Sequence, residues 1–259
     1  MSFATIAKLE IPSVRARVSP EEWQARVELA ACYRLVSHQG WNDGLGTHIA
    51  ARVPGESDCM LLNPVGLMFH EITASSLIKV DMDGTVRSET EFRVNSGGVA
   101  IHGAVFQARP ELNASLHTHT EAGMAISVLD VGLLPITPIA MRFYKRLAFH
   151  DYYGQAGKFD DRETIGDDLG PHYAMIMKNH GLLTVGRDMG EAFIGMCALE
   201  SAIKAQLRAH ATGLKIIVPS EDVCDRAANQ RASMNARSYA EGWKGWMRLA
   251  DQIAPSFRE

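Results

Sequence analysis

Two histidines stand one residue apart in Leu116-His117-Thr118-His119, and a third lies in Asn179-His180-Gly181. On a β-strand, alternate side chains share a face. His117 and His119 then point one way, and Leu116 and Thr118 the other. Two imidazoles from one strand and one from a distant turn make three neutral nitrogen ligands. Three protein ligands leave a position open on the ion, which is the layout of a catalytic metal centre and not of a structural one. The plainer reading is a pair of hydrogen-bonded histidines at a polar strand end. Same-face histidine pairs have few structural uses, and a third histidine sits beside a glycine between two strands, so the metal reading leads. Zinc is the first expectation; Mn, Fe and Co accept the same donors.

Other residues could serve such a centre. His102 falls on a helix expected from Val99 to about Gln107. It is a candidate fourth ligand, acid/base group or partner that fixes another imidazole, or simply a buried, hydrogen-bonded histidine. Asn95-Ser96-Gly97-Gly98 opens the same helix. Exposed amides and the positive helix end suit a carboxylate or phosphate, and the same geometry makes a plain N-cap. Asn63-Pro64-Val65-Gly66 is a turn whose amides are available to a substrate if they face the site. Glu121, Tyr144, His150, Asp151 and Tyr152 are further candidates for proton transfer, and His150-Asp151-Tyr152-Tyr153-Gly154 is dense in such groups.

These residues need elements to hold them. Ser19-Pro20-Glu21-Glu22 reads as a helix start with Ser19 as cap, Pro20 at the first helical position and Glu22 completing a capping box. Gly40 ends that helix. Thr47 to Val53 and Met60 to Leu62 read as a hairpin across Pro54-Gly55. Leu77 to Asp81 reads as a strand, Leu116 to His119 as the histidine strand, and Glu121 to Leu129 as a helix. Tyr173 to Met177 and Leu182 to Val185 read as strands around the third histidine. Met189 to Ala211 is a long amphipathic helix, ended by Gly213. A polar helical tail from about Glu221 to Ala250 follows, in which Trp243 and Trp246 read as packing or subunit contacts. The resulting division is an N-terminal arm over 1–18, a catalytic domain over 19–213 and a C-terminal helical extension over 214–259 packed on the same domain.

The 259 residues suffice for one large α/β domain or two small ones. A net charge of -4 without a basic run argues against nucleic acid as the main partner. No apolar run is long enough to cross a bilayer, and Met1–Lys8 lack the pattern of a secretory signal. Cys32, Cys59, Cys197 and Cys224 are scattered and read as reduced thiols in a cytoplasmic protein.

The ordered stretches Gly46-Thr47-His48-Ile49-Ala50-Ala51-Arg52, Leu62-Asn63-Pro64-Val65-Gly66-Leu67, Val94-Asn95-Ser96-Gly97-Gly98, Leu116-His117-Thr118-His119 and Lys178-Asn179-His180-Gly181-Leu182-Leu183 resemble the class II aldolase/adducin head-domain family. The resemblance spans about Glu21 to Gly213. It implies a three-layer α/β/α fold around a mostly antiparallel sheet, and a homotetramer with sites at subunit interfaces. His117, His119 and His180 fall on the three metal-binding histidines. One position departs from the pattern. Sugar-phosphate aldolases of this family carry an acid/base glutamate four residues before the helix histidine, where this chain has Gly98. The asparagine that helps hold phosphate in those enzymes is His48 here. Adducin heads lack the full histidine set, so the intact trio points to an enzyme.

The leading expectation is a metal-dependent carbon–carbon lyase acting on a small molecule. Decarboxylation of a hydroxylated acid, with aromatic acids included, needs an electron sink and then a proton donor. That suits loss of the glutamate better than aldol cleavage does. Space opened at Gly98 would admit a substrate carboxylate or ring. The expected catalytic residues are His102, Tyr152 and Glu121; the expected substrate or anion contacts are Asn63, Gly66, Asn95, Ser96, Gly97, Gly98 and His48. The alternatives are a class II retro-aldolase with a relocated acid/base such as Glu121 or Asp151, a non-haem iron oxygenase and a non-catalytic adducin-like scaffold.

Overall fold

The computed structural model describes residues 11–44, 46–152, 154, 160–232 and 236–259. Residues 1–10 of the expected arm, Leu45 and Tyr153 lie outside them. Ser19 caps the first helix, α1 (Pro20–His38), by accepting from the Glu22 amide at 3.1 Å. The expected capping box is corrected. The buried Glu22 carboxylate turns away to pair with Arg26 at 2.8 Å and Lys79 at 2.7 Å. A buried carboxylate is costly unless paired, so two cations outweigh one backbone amide.

The hairpin forms as β1 (His48–Val53) and β2 (Glu56–Leu62), with Gly55 of the turn at φ +81°. Next come β3 (Ile78–Asp81), α2 (Ser96–Ala108), β4 (Ala114–Thr118) and α3 (Glu121–Ser127). Two elements then appear that periodicity does not reveal: β5 (Ala148–His150) and α4 (Asp160–Leu169). A three-residue strand is too short to show alternation. β6 (Ala174–Met177), β7 (Gly181–Gly186) and α5 (Met189–Ala211) follow as read. The expected helical tail is present as α6 (Glu221–Ala232) and α7 (Ala236–Ile253).

The seven strands form one sheet in the order β3-β2-β1-β4-β7-β6-β5. Every pairing is antiparallel except that of β5 with β6. Two apolar cores cover its faces. Ile49, Leu61, Leu116 and Leu182 pack with α1 and α5 residues on one face, while Ala50, Met60, Leu62 and Leu183 pack with α2 and α4 residues on the other. The fold is therefore the expected α/β/α sandwich around a mostly antiparallel sheet. β4, β6 and β7 are buried at every position. That explains their apolar runs, since a strand covered on both faces loses its polar alternation.

The chain's end returns to the core: Phe257 is fully buried and its carbonyl accepts from the Ala74 amide at 2.8 Å. Trp243 and Trp246 pack, at ring distances of 5.8 Å and 5.0 Å, on Phe193 of α5. All four cysteines are free, and no helix among the described residues is long and apolar enough to cross a membrane. Phe193 is the hub where α5 meets α7, and it is fully buried. Phe193→Ala should cost about 3–5 kcal/mol. Urea unfolding at fixed protein concentration reads this as a lower midpoint; an unshifted midpoint would show that the ring cluster adds nothing to stability.

Candidate metal centre

The register of β4 with β7 builds the site. His117 lies opposite Leu183 and Thr118 opposite Leu182, so His180, one residue before β7, arrives beside the end of β4. The turn that delivers it uses its neighbours' chemistry. Asn179 is at φ +55°, a left-handed conformation that asparagine tolerates better than most residues. A β-carbon at Gly181 would run into the Thr118 carbonyl oxygen, so only glycine allows this approach. His119, just past β4, still points to the His117 side as strand alternation required.

One ligand atom from each of His117, His119 and His180 lies within 4.8 Å of the others. The Nε2 atoms of His117 and His119 are 2.8 Å apart. Their Nδ1 atoms are held from behind: that of His117 is 2.9 Å from the Leu182 carbonyl, and that of His119 is 2.6 Å from Asp43 Oδ2. An acceptor at Nδ1 fixes the proton there and leaves the Nε2 lone pair for a ligand bond. Burial, then the neighbouring imidazoles, hold His117 well below the ordinary histidine range; burial and His119 lower His180 to about 4. His117 and His180 are therefore neutral at pH 7, the form that binds metal. Donor type, spacing and rear anchoring all fit a divalent ion.

Asp43 was not foreseen. It sits in a turn, and nothing in its spacing links it to His119, 76 residues on. Glu200 was also missed. It is buried on α5, accepts from the Thr120 hydroxyl, and so ties down the residue after His119.

A second set of imidazoles adjoins the trio. His48 lies opposite His117 across the β1–β4 pairing, with ring centroids 5.1 Å apart. Its Nδ1 is 2.9 Å from Nε2 of His102, whose Nδ1 is 2.7 Å from Ser115 Oγ. Both ring nitrogens of His102 are thus engaged within the protein. That arrangement leaves neither ring nitrogen of His102 directed at the trio and holds the His48 ring in place. Burial lowers His102 to about 3 and His48 well below its ordinary range.

The expected void at Gly98 is corrected too. A β-carbon there would lie 3.1 Å from His48 Cγ, so the imidazole already fills the space above the glycine. Asn95 accepts from the Gly97 and Gly98 amides at 2.9 Å and 3.3 Å. Two of the amides an anion would need are taken by the cap. Ser96 is exposed beside them. The Asn63–Gly66 turn reaches this helix start through a bridge between Pro64 and Val94. The Asn63 side chain is only 3% exposed and 2.8 Å from the Tyr33 hydroxyl, so it braces β1, while Gly66 at φ +102° shapes the turn.

Tyr152 is half exposed, with its ring 5.9 Å from that of His180. Glu121 is exposed at the first position of α3, two residues after His119. Asp151 is paired with Lys178 at 2.6 Å, and His150 Nδ1 is 2.7 Å from Asp168. Tyr144 lies under the Lys145 ammonium, 4.9 Å from its ring.

Asp43→Asn should weaken metal binding roughly 10–100-fold. Titration against a competing chelator measures it, and unchanged affinity would remove Asp43 from the site. Stability should also fall on acidification. The buried His102 takes up its proton near 3 when folded but near 6.5 when unfolded. The unfolded chain therefore binds more protons as pH drops below about 6.5, and stability is lost from there toward 3. The slope is about 1.4 kcal/mol per pH unit for each such histidine. Urea midpoints that stay flat between pH 7.5 and 5 would contradict buried neutral imidazoles.

A crystal structure of an aldolase II superfamily protein from Pseudomonas syringae superposes with a TM-score of 0.91 at 41% identity, over 96% of this chain and 100% of that one. L-fuculose 1-phosphate aldolase from Glaciozyma antarctica superposes with a TM-score of 0.82 at 28% identity, over 92% and 93%. Alpha-adducin of Rattus norvegicus is 40% identical over 186 residues, which are 71% of this chain and 25% of the adducin. The family model of the class II aldolase and adducin N-terminal domain matches residues 27–207. The chain belongs to that family.

Proposed function

We propose that this protein is a metal-dependent carbon–carbon lyase that decarboxylates a hydroxylated carboxylic acid. One observation carries the choice of reaction. Among the described residues, the carboxylate touching the trio is Asp43, and it is committed to His119 Nδ1. Position 98 is a glycine packed under His48. A free carboxylate base is what proton abstraction for aldol chemistry would call for; loss of carbon dioxide needs no prior proton removal.

His117, His119 and His180 are the residues that would hold the ion, with zinc the first candidate. When bound, a divalent ion supplies Lewis acidity to adjacent oxygens of a hydroxy acid. Asp43 and the Leu182 carbonyl keep two imidazoles in one tautomer and one orientation. His48, set by His102 and Ser115, presents a neutral ring beside His117. The carbon that loses its carboxylate gains an electron pair and takes a proton. Tyr152 is the proposed donor, since its ring lies against His180 and its side chain reaches solvent. Glu121 stands as the alternative donor at the start of α3.

A second reading has support of its own. The 28%-identical fold match is an L-fuculose 1-phosphate aldolase, which favours retro-aldol cleavage with Glu121 as relocated acid/base. Assembly as a homotetramer is part of the proposal. Val128, Val131 and Phe149 are each more than 40% exposed near the metal end of the sheet, as an interface would leave them. Free cysteines suit a reducing compartment, and the proposal places the protein in the cytoplasm.

The test is a screen of hydroxy acids with metal-replete protein, scored for carbon dioxide and for aldehyde. Carbon dioxide release is expected, and Tyr152→Phe should lower kcat on the order of 10²-fold with little change in KM. Aldehyde without carbon dioxide would overturn decarboxylation in favour of retro-aldol cleavage. Oxygen consumption with ferrous iron would favour an oxygenase, and a purified chain that binds no metal would favour the scaffold.

A further inference from the structure

The opposite end of the sheet holds a cavity of about 490 Å³, large enough for a nucleotide-sized ligand. Arg187 on its wall follows β7, seven residues beyond His180. At about 3.3 Å per residue, that places it roughly 20 Å from the metal trio. The cavity is therefore separate from the site described above.

Its lining is cationic. Arg142, Arg146 and Arg187 all face it, together with His172, Tyr173 and Tyr239. Arg187 is neutralised by Glu191, with contacts of 3.0 Å and 3.1 Å. The other two are not. Arg142 donates to the Tyr239 hydroxyl and lies 5.2 Å over that ring. Arg146 donates to Asn229 Oδ1 at 2.7 Å. Both partners are uncharged, both arginines are half-buried, and neither meets a carboxylate among the described residues. A guanidinium offers five N–H donors in a fork that matches phosphate and carboxylate oxygens. Two such forks, four residues apart in one segment, leave most of their donors unused. Half-buried charge without a counterion is costly, and a bound anion relieves it.

The C-terminal helix α7 adds Tyr239 to the cavity wall, and α6 holds one of its arginines from outside. Asn229 is on α6 and Tyr239 on α7, and both lie outside the residues 27–207 matched by the family model. The extension thus orients both arginines.

We propose that this cavity is a second ligand site, for a small organic anion whose phosphate or paired carboxylate groups are held by Arg142 and Arg146. The site does not depend on the reaction proposed for the metal centre. Calorimetric titration of the metal-loaded full chain with inorganic phosphate, citrate and adenosine monophosphate tests it at low salt. The expected result is saturable binding of at least one of these at one anion per chain. A phosphate-only response assigns phosphoryl recognition, and a citrate-only response assigns carboxylate recognition; either supports the site. Arg146→Gln should weaken binding about tenfold or more, and adding Arg142→Gln should abolish it. Arg146→Gln leaves the Arg142–Tyr239 contact in place, so it remains informative if the double variant misfolds. His119→Ala should bind the anion as well as wild type does. The proposal is overturned if none of the three anions binds at millimolar concentration, if Arg146→Gln binds unchanged, or if His119→Ala abolishes binding. It is also overturned if the arginine variants alter the oligomeric mass while anion binding stays intact, which would make the arginines subunit contacts.

Discussion

The pairing of β4 with β7 is the constraint on which the site depends. It places Thr118 opposite Leu182 and so brings the end of one strand to the start of the other. The Leu182 carbonyl that locks His117 belongs to the same register. A slip of one residue would turn His117 into the opposite core and bring up Leu116 or Thr118 in its place. Gly181 makes the close approach possible, and Asn179 makes the turn before it. Sheet geometry and ligand geometry are therefore one problem with one solution.

That solution places five imidazoles and a serine hydroxyl around one end of the sheet on its α2 side. Such a seam is costly to bury unless each ring nitrogen has a partner or a ligand. His102 spends both nitrogens on His48 and Ser115; His117 spends one on a carbonyl; His119 spends one on Asp43. What remains directed at a common point is the Nε2 pair, with His180 beside it. The polar chain through His48 and His102 rests on the α2 helix, whose Gly98 makes room for the His48 ring.

Much of this was legible in the residues alone. Alternation set His117 and His119 on one face, Ser19 marked the start of α1, and Asn95-Ser96-Gly97-Gly98 marked the opening of α2, where Asn95 is the cap. The apolar runs of β6 and β7 bounded a turn around His180. What stayed hidden depended on contacts between distant segments. Asp43 has no local signature that links it to His119. The packing of His48 over Gly98 reverses the inference that loss of a side chain leaves a hole, because a neighbour from another strand fills it. Glu22 followed the local rule for a capping box in sequence but answered to Lys79, 57 residues away. β5 and α4 were missed because three residues show no period and α4 is mostly polar.

The central claim is that three imidazoles from two separate segments share one ion. X-ray absorption at the metal edge of the metal-loaded protein tests it most directly. The account predicts a first shell with three histidine nitrogens and no sulfur, reduced to two by His180→Ala. A first shell with fewer than three imidazoles in the wild-type protein, or one that His180→Ala leaves unchanged, would contradict it.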